Sequence, residues 1–154
     1  MEVSIYTDGA ARGNPQGPGG YGTVIEYTNS SGDLFTKELS KGYKKTTNNR
    51  MELMAVIAGL NALNRPCQVK VYSDSQYVIK AFNENWLEGW LRSDWKKGKV
   101  KNIDLWKRLL EVAKPHKITW NWVKGHAGHP QNERCDKLAT EAADGDDLAD
   151  DVIE

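Results

Sequence analysis

Val69-Lys70-Val71-Tyr72-Ser73-Asp74-Ser75-Gln76-Tyr77-Val78 changes its period in the middle. Val69 to Tyr72 are mostly β-branched or aromatic and read as a short strand. Residues 75–83 read as a helix, and Asp74 stands at the junction. A helix comes just before: Leu53, Ile57, Leu60 and Leu63 recur on one face, and Pro66 is expected to end it. Further along, Leu105, Leu109, Leu110 and Val112 mark another helix, and Ile118 to Val123 alternates as a strand. Pro130 opens a last helix with Cys135, Leu138, Ala139 and Ala142 on its inner stripe. Strands and helices that alternate in this way build a sheet covered by helices.

Upstream the pattern is different. Val3-Ser4-Ile5-Tyr6-Thr7 reads as a strand that ends at Asp8-Gly9, and the loop after it holds Gly13, Pro15, Gly17 and Pro18. Tyr21–Tyr27 and Leu34–Leu39 read as two more strands around a turn at residues 29–33. Three strands in succession with short links form an antiparallel meander. The expectation is therefore an α/β fold with a mixed sheet, antiparallel first and parallel later. One domain over residues 1–143 is expected, followed by a flexible acidic tail at 144–154.

The chain has 154 residues, enough for a proper core. It has no apolar run long enough for a membrane helix. Met1-Glu2-Val3-Ser4 enters the strand pattern directly, without a basic-then-apolar leader, and Cys67 and Cys135 lack metal-ligand spacing. A cytoplasmic protein with reduced thiols is the simplest reading. Formal net charge is zero, but it is unevenly spread. Residues 80–124 carry eleven Lys/Arg against five Asp/Glu, while 141–154 carry seven acids and no base. A polyanion responds to the local basic patch and not to the sum.

Four acids lie in well-marked segments: Asp8, Glu52, Asp74 and Asp136. Each has a structural alternative. Asp8 before Gly9 suits a turn. Asp74 could cap the helix after it. Glu52, three residues after Asn49, could complete a capping box. Asp136, near a helix start, could answer the helix dipole. As a set they point elsewhere. Asp8 and Asp74 both leave strands at carboxyl ends, where the functional groups of such sheets gather. If those strands are parallel neighbours, the carboxylates meet, and crowded like charges raise their pKa values or recruit a hard cation such as Mg²⁺.

Five fragments carry a resemblance. They are Thr7-Asp8-Gly9 with Gly13-Asn14-Pro15 and Gly17-Pro18-Gly19-Gly20-Tyr21-Gly22; Thr47-Asn48-Asn49-Arg50-Met51-Glu52-Leu53; Ser73-Asp74-Ser75-Gln76-Tyr77-Val78; Trp122-Val123-Lys124-Gly125-His126-Ala127-Gly128-His129; and Asn132-Glu133-Arg134-Cys135-Asp136. In this order, over about residues 1–143, the chain resembles bacterial ribonuclease H of type 1. The resemblance implies a five-stranded mixed sheet flanked by helices and an endonuclease that cuts RNA within RNA/DNA hybrids. It matches Asp8, Glu52, Asp74 and Asp136 to the family's metal-binding carboxylates, which would take two Mg²⁺ during catalysis, with Mn²⁺ as a substitute. The implied products carry 5′-phosphate and 3′-hydroxyl ends, and the implied state is a monomer.

His126 matches the family's loop histidine, with a proton-handling or product-release role. His116 and His129 have no such support. Asn14, Asn48 and Gln76 match substrate-contacting positions that can read a 2′-hydroxyl, and Thr47 with Asn49 would grip a DNA phosphate. In residues 85–101, Trp86, Trp90 and Trp95 interleave with Arg92, Lys96, Lys97, Lys99 and Lys101. A local tryptophan core and a solvated cationic face account for part of this pattern. Aromatics among cations also suit a nucleic-acid backbone, and the segment resembles the family's basic handle, assigning Trp86, Trp90, Lys96, Lys97, Lys99 and Lys101 to substrate binding. Two other functions compete: a different nuclease on the same fold, and a hybrid-binding module without catalysis.

Overall fold

A computed structural model of the chain describes residues 2–13, 16–125 and 129–151. The antiparallel meander forms, but its first two strands take in much of the loop expected after Asp8-Gly9, including Gly17 and Pro18, because they pair with each other there and β2 also pairs with β3. Strands β1 (Glu2–Ala11), β2 (Gly17–Thr28) and β3 (Leu34–Thr46) pair antiparallel in sequence order. β3 passes its expected end at Leu39, because β2 is long enough to partner it as far as Thr46. On the other side of β1, strands β4 (Gln68–Ser73) and β5 (Lys117–Trp122) run parallel to it and to each other. The full order is β5-β4-β1-β2-β3-β6.

The sixth strand, β6 (Leu148–Ala149), was not expected. It pairs parallel with Gly42 and Tyr43 of β3. The acidic segment therefore does not fray where it is described. Arg12 binds Asp144 at 2.9 Å, Lys44 lies 3.7 Å from Asp150, and Asp151 reaches a buried arginine. A run of acids reads as solvated because nothing local reveals partners a hundred residues away.

Helix α1 (Asn48–Asn61) crosses one face of the sheet. Thr47 caps it by accepting the N–H of Arg50 at 3.2 Å, so the cap precedes the expected Asn49. The helix stops at Asn61, before Pro66. Its Leu53, Val56, Ile57 and Leu60 pack on Val3, Ile5, Val69 and Val71 of the strands. Burial of each such side chain contributes roughly 1.5–3 kcal/mol. Helices α2 (Gln76–Asn83), α3 (Trp86–Arg92) and α5 (Ile103–Ala113) complete this layer. Trp106 of α5 is fully buried among the rings of Tyr77, Phe82 and Trp90.

Between α3 and α5 the short element α4 (Asp94–Gly98) winds left-handed, with φ between 50° and 58° at Asp94, Trp95, Lys96 and Lys97. Such a conformation costs roughly 1–2 kcal/mol per residue. Trp95, only 6% exposed, packs beside Trp90 and offsets that cost.

Helix α6 (Pro130–Asp144) covers the opposite face of β1, β2 and β3. It lies close because glycines leave no side chain between sheet and helix: a Cβ at Gly22 would run into the Cys135 carbonyl, and one at Gly42 into that of Ala142. Cys135, Ala139 and Ala143 face inward, whereas Leu138 and Ala142 from the expected stripe are half-buried.

Candidate functional site

Thr7 of β1 and Ser73 of β4 are register partners in adjacent parallel strands. The next residues, Asp8 and Asp74, therefore lie side by side where the parallel pairing of β1 and β4 stops. Asp74 has left β4, whereas Asp8 is still within β1, opposite Gly22, because β2 carries β1 past its expected end at Asp8-Gly9 to Ala11. Glu52 comes from α1, which sits against β1 at this point because Gly9 has no side chain: a Cβ there would strike the backbone of Met51 and Glu52. The N–H of Gly9 donates to Glu52 Oε1 at 2.6 Å and also approaches Asp8 Oδ1 at 2.9 Å. Ser73 Oγ donates to Glu52 Oε2 at 3.4 Å.

Carboxylate oxygens of Asp8, Glu52 and Asp74 lie within 4.8 Å of one another. Asp8 and Glu52 are 5% and 2% exposed, and Asp74 is half-buried. Asp136, on the second turn of α6, stands outside this group of three at its margin, and its charge still acts on Asp8. Cys135 beside it is buried and donates to the Tyr6 carbonyl at 3.1 Å, which ties this turn to β1.

The electrostatics follow from the crowding. Burial, then the charges of Asp74 and Asp136, push the Asp8 pKa up to about 7 against the pull of hydrogen bonds from Glu52 and Gly9. Glu52 is raised well above the usual carboxylate range, first by burial and then by the charge of Asp8. The two acids titrate as a coupled pair, and burial with mutual repulsion keeps the pair protonated to higher pH than ordinary carboxylates. Three oxygen donors that repel one another in a largely buried corner are the donor set of a hard divalent cation.

The local alternatives for three of the acids are not used, two of them because other residues take the cap. Ser75, not Asp74, caps α2 by accepting the Val78 N–H at 3.3 Å. Thr47 caps α1, which leaves Glu52 without a capping role. Asp136 is the seventh residue of α6 and lies past its first turn. Asp8 accepts the Gly9 N–H, but both residues lie within β1 and not in a turn.

Asn48 and Asn49 are exposed on the first turn of α1, two turns at most from Glu52, and Thr47 is half-buried before them. Gln76 is exposed at the start of α2, two residues beyond Asp74. Trp86 is 37% exposed and lines a cleft with Gly89, Trp90 and Lys96, while Lys97, Lys99 and Lys101 are exposed nearby in sequence. His126 and Asn14 lie outside the described residues.

Sequence reasoning missed the groups that hold the site. Trp122 Nε1 donates to the Asp74 carbonyl at 3.1 Å, and the N–H of Val123 donates to the Ser73 carbonyl at 2.9 Å. These bonds bring the loop after β5 against Asp74, close enough that a Cβ on Gly125 would sit 2.9 Å from Asp74 Oδ2. The other histidines have structural partners. His129 caps α6 by accepting the Asn132 N–H, and His116 accepts the Cys67 N–H at 3.1 Å. No helix among the described residues is long and apolar enough to cross a membrane.

Comparison with known proteins follows the same outline. The family model for RNase H matches residues 1–144. A protein named ribonuclease H from Lachnoclostridium phytofermentans is 68% identical, with 99% of each chain covered. Another of that name, from Edwardsiella ictaluri, is 54% identical over 92% of this chain and 90% of its own. Among solved structures, LC9-RNase H1, described as a type 1 RNase H with the type 2 active-site motif, superposes with a TM-score of 0.83 at 33% identity, covering 92% of this chain and 72% of that one. LC11-RNase H1, solved in complex with an RNA/DNA hybrid, gives a TM-score of 0.61 at 25% identity, covering 92% and 96%. The chain belongs to the ribonuclease H family of nucleases, on the fold that its sequence led us to expect.

Proposed function

We propose that this enzyme is an endonuclease that hydrolyses the RNA strand of RNA/DNA hybrids and leaves 5′-phosphate and 3′-hydroxyl ends. The observation that carries the reading is the trio Asp8, Glu52 and Asp74, with oxygens within 4.8 Å, set beside the exposed helix starts that bear Asn48, Asn49 and Gln76. The donor set fits divalent metal, and we assign Mg²⁺, two ions during turnover, with Mn²⁺ as a substitute. Asp8, Glu52, Asp74 and Asp136 would hold them. Bound there, the metal supplies Lewis acidity: a more acidic water and relief of charge on the departing 3′ oxygen.

The chain's own residues do the rest. Gly9 and Ser73 orient Glu52, and Trp122 anchors the backbone of Asp74. Asn14, Asn48 and Gln76 contact the substrate near the reacting phosphate, where a 2′-hydroxyl distinguishes RNA. Thr47 and Asn49 hold a DNA phosphate. Trp86, Trp90, Lys96, Lys97, Lys99 and Lys101 track the DNA strand as a basic, aromatic surface. His126 handles a proton or speeds product release. The enzyme acts as a monomer in the cytoplasm.

The test is cleavage of end-labelled RNA paired with DNA, in Mg²⁺ and in EDTA, beside duplex RNA, duplex DNA and single-stranded RNA. Metal-dependent cutting of the hybrid alone is expected. Cutting of duplex DNA, or binding without cutting, would overturn the reading.

A further inference from the structure

The C-terminal segment ends its described course at a buried cation. Arg50, 1% exposed, is the third residue of α1. Its Nε and one Nη donate to Asp151 at 2.8 and 3.1 Å. The two Nη atoms donate to Asp104 at 2.9 and 2.7 Å, and one also reaches Asn102 Oδ1 at 3.3 Å. All five guanidinium N–H groups thus have acceptors, in two forked carboxylate pairs that fix the plane of the group as well as its charge. The Asp151 side chain is 8% exposed, and its Oδ2 also accepts from Thr46 Oγ1 at 2.5 Å.

Thr46 and Arg50 bracket the Thr47-Asn48-Asn49 edge. Asp151 holds both ends of that edge at once, from behind through the buried Thr46 hydroxyl and from ahead through Arg50. The network continues. Asn102, held at φ 62°, donates to the Tyr77 hydroxyl at 3.2 Å, and Trp106 Nε1 donates to the same oxygen at 3.0 Å. Asn102 follows Lys101 at the foot of the basic segment, and Tyr77 follows Gln76. The separate surfaces assigned above to the hybrid are therefore joined beneath by one partly buried polar frame around Arg50. Glu52 needs this frame less, because Gly9 and Ser73 hold its carboxylate directly.

We infer that Asp151 is a positioning residue for hybrid binding: it clamps Arg50 and Thr46 so that the Thr47–Asn49 edge is set before substrate arrives. The inference rests on the ribonuclease H reading and concerns its binding step. Preset contacts lower the ordering cost of association, so loosening them weakens binding more than it slows the chemistry of bound substrate.

The experiment compares the wild type with Asp151→Ala, Asp151→Asn and Thr46→Val at a temperature where circular dichroism shows each to be folded. Fluorescence anisotropy reads hybrid affinity in EDTA, and kcat is read at saturating hybrid in Mg²⁺. Asp151→Ala is expected to weaken binding about tenfold, on the scale by which small misplacements act, with kcat within about twofold. Asp151→Asn keeps one acceptor for Arg50 and should recover part of the loss, and Thr46→Val should lose a smaller part. If Asp151→Ala does not fold, the other two variants decide. Unchanged affinity in the folded variants, or a fall in kcat without a fall in affinity, overturns the inference. A wild type that does not cut hybrid overturns the functional reading itself, which this comparison separates from failure of the clamp.

Discussion

The N–H of Gly9 donates to Glu52 Oε1 at 2.6 Å, a bond between the end of β1 and the second turn of α1. It exists because glycine lets the helix backbone approach the strand: a Cβ at position 9 would lie 2.5 Å from the Met51 carbonyl carbon. Gly9→Ala must push α1 and β1 apart. We expect a stability loss of about 1–3 kcal/mol by overpacking. We also expect a fall in kcat of up to about 100-fold, because Glu52 is displaced from Asp8. Denaturant melts and steady-state turnover below the melting range check both. Wild-type turnover in folded Gly9→Ala would show that the contact does not set the site.

Crowded acids give a pH dependence with a definite sign. Asp8 rises from 3.8 to about 7, and Glu52 is raised as well, chiefly by burial. Between about pH 4 and pH 7 the native state holds protons that the unfolded chain has released, so the contribution of these groups to stability falls as pH rises through that window. It is fully present below the unfolded pKa values and lost above the folded ones. In EDTA, Tm should therefore drop from pH 5 to pH 8 more in the wild type than in Asp8→Asn. Divalent metal must displace those protons, so the rise in Tm on adding Mg²⁺ should be larger at pH 8 than at pH 5. An equal rise at both pH values would remove these carboxylates from the metal site.

The basic segment joins a strained backbone to its charge. Lys97 is exposed with φ 58°, where glycine has no steric penalty. Lys97→Gly should raise stability by about 1 kcal/mol, yet weaken hybrid binding by removing a cation. Replacing Lys96, Lys97, Lys99 and Lys101 together by glutamine should flatten the log–log salt dependence of binding by roughly one unit per lost phosphate contact. Anisotropy titrations at several salt concentrations measure the slope. An unchanged slope would take the segment out of the interface.

Much of this was legible in the chain. The strand expected at Val69–Tyr72 ends at Ser73, just before Asp74, whereas β1 runs past its expected end at Asp8-Gly9 to Ala11, carried by its pairing with β2, which is not visible to local turn chemistry. The meeting of Asp8 and Asp74 depended on the two strands being parallel neighbours, which the fold supplies and the local sequence does not dictate. Other features depend on contacts distant in sequence. The acids of 144–151 look like a solvated run, and only the fold brings Asp151 to Arg50. The left-handed turn at Asp94–Lys97 contains neither glycine nor asparagine to announce it and exists because burying Trp95 offsets its cost. Trp122 reads as one position in an alternating strand, whereas its indole N–H holds the backbone of Asp74.

If the carboxylate cluster around Asp8 performs the chemistry, Asp8→Asn should abolish turnover without unfolding the protein. Asparagine keeps an oxygen for the Gly9 N–H and removes one charge from a crowded corner, so the fold should be retained. The measurement is hydrolysis of a labelled RNA/DNA hybrid in Mg²⁺ by folded Asp8→Asn beside wild type, with hybrid affinity read in EDTA. We expect turnover lower by roughly 10³-fold or more, with binding retained. Turnover at the wild-type rate in the folded variant would contradict it.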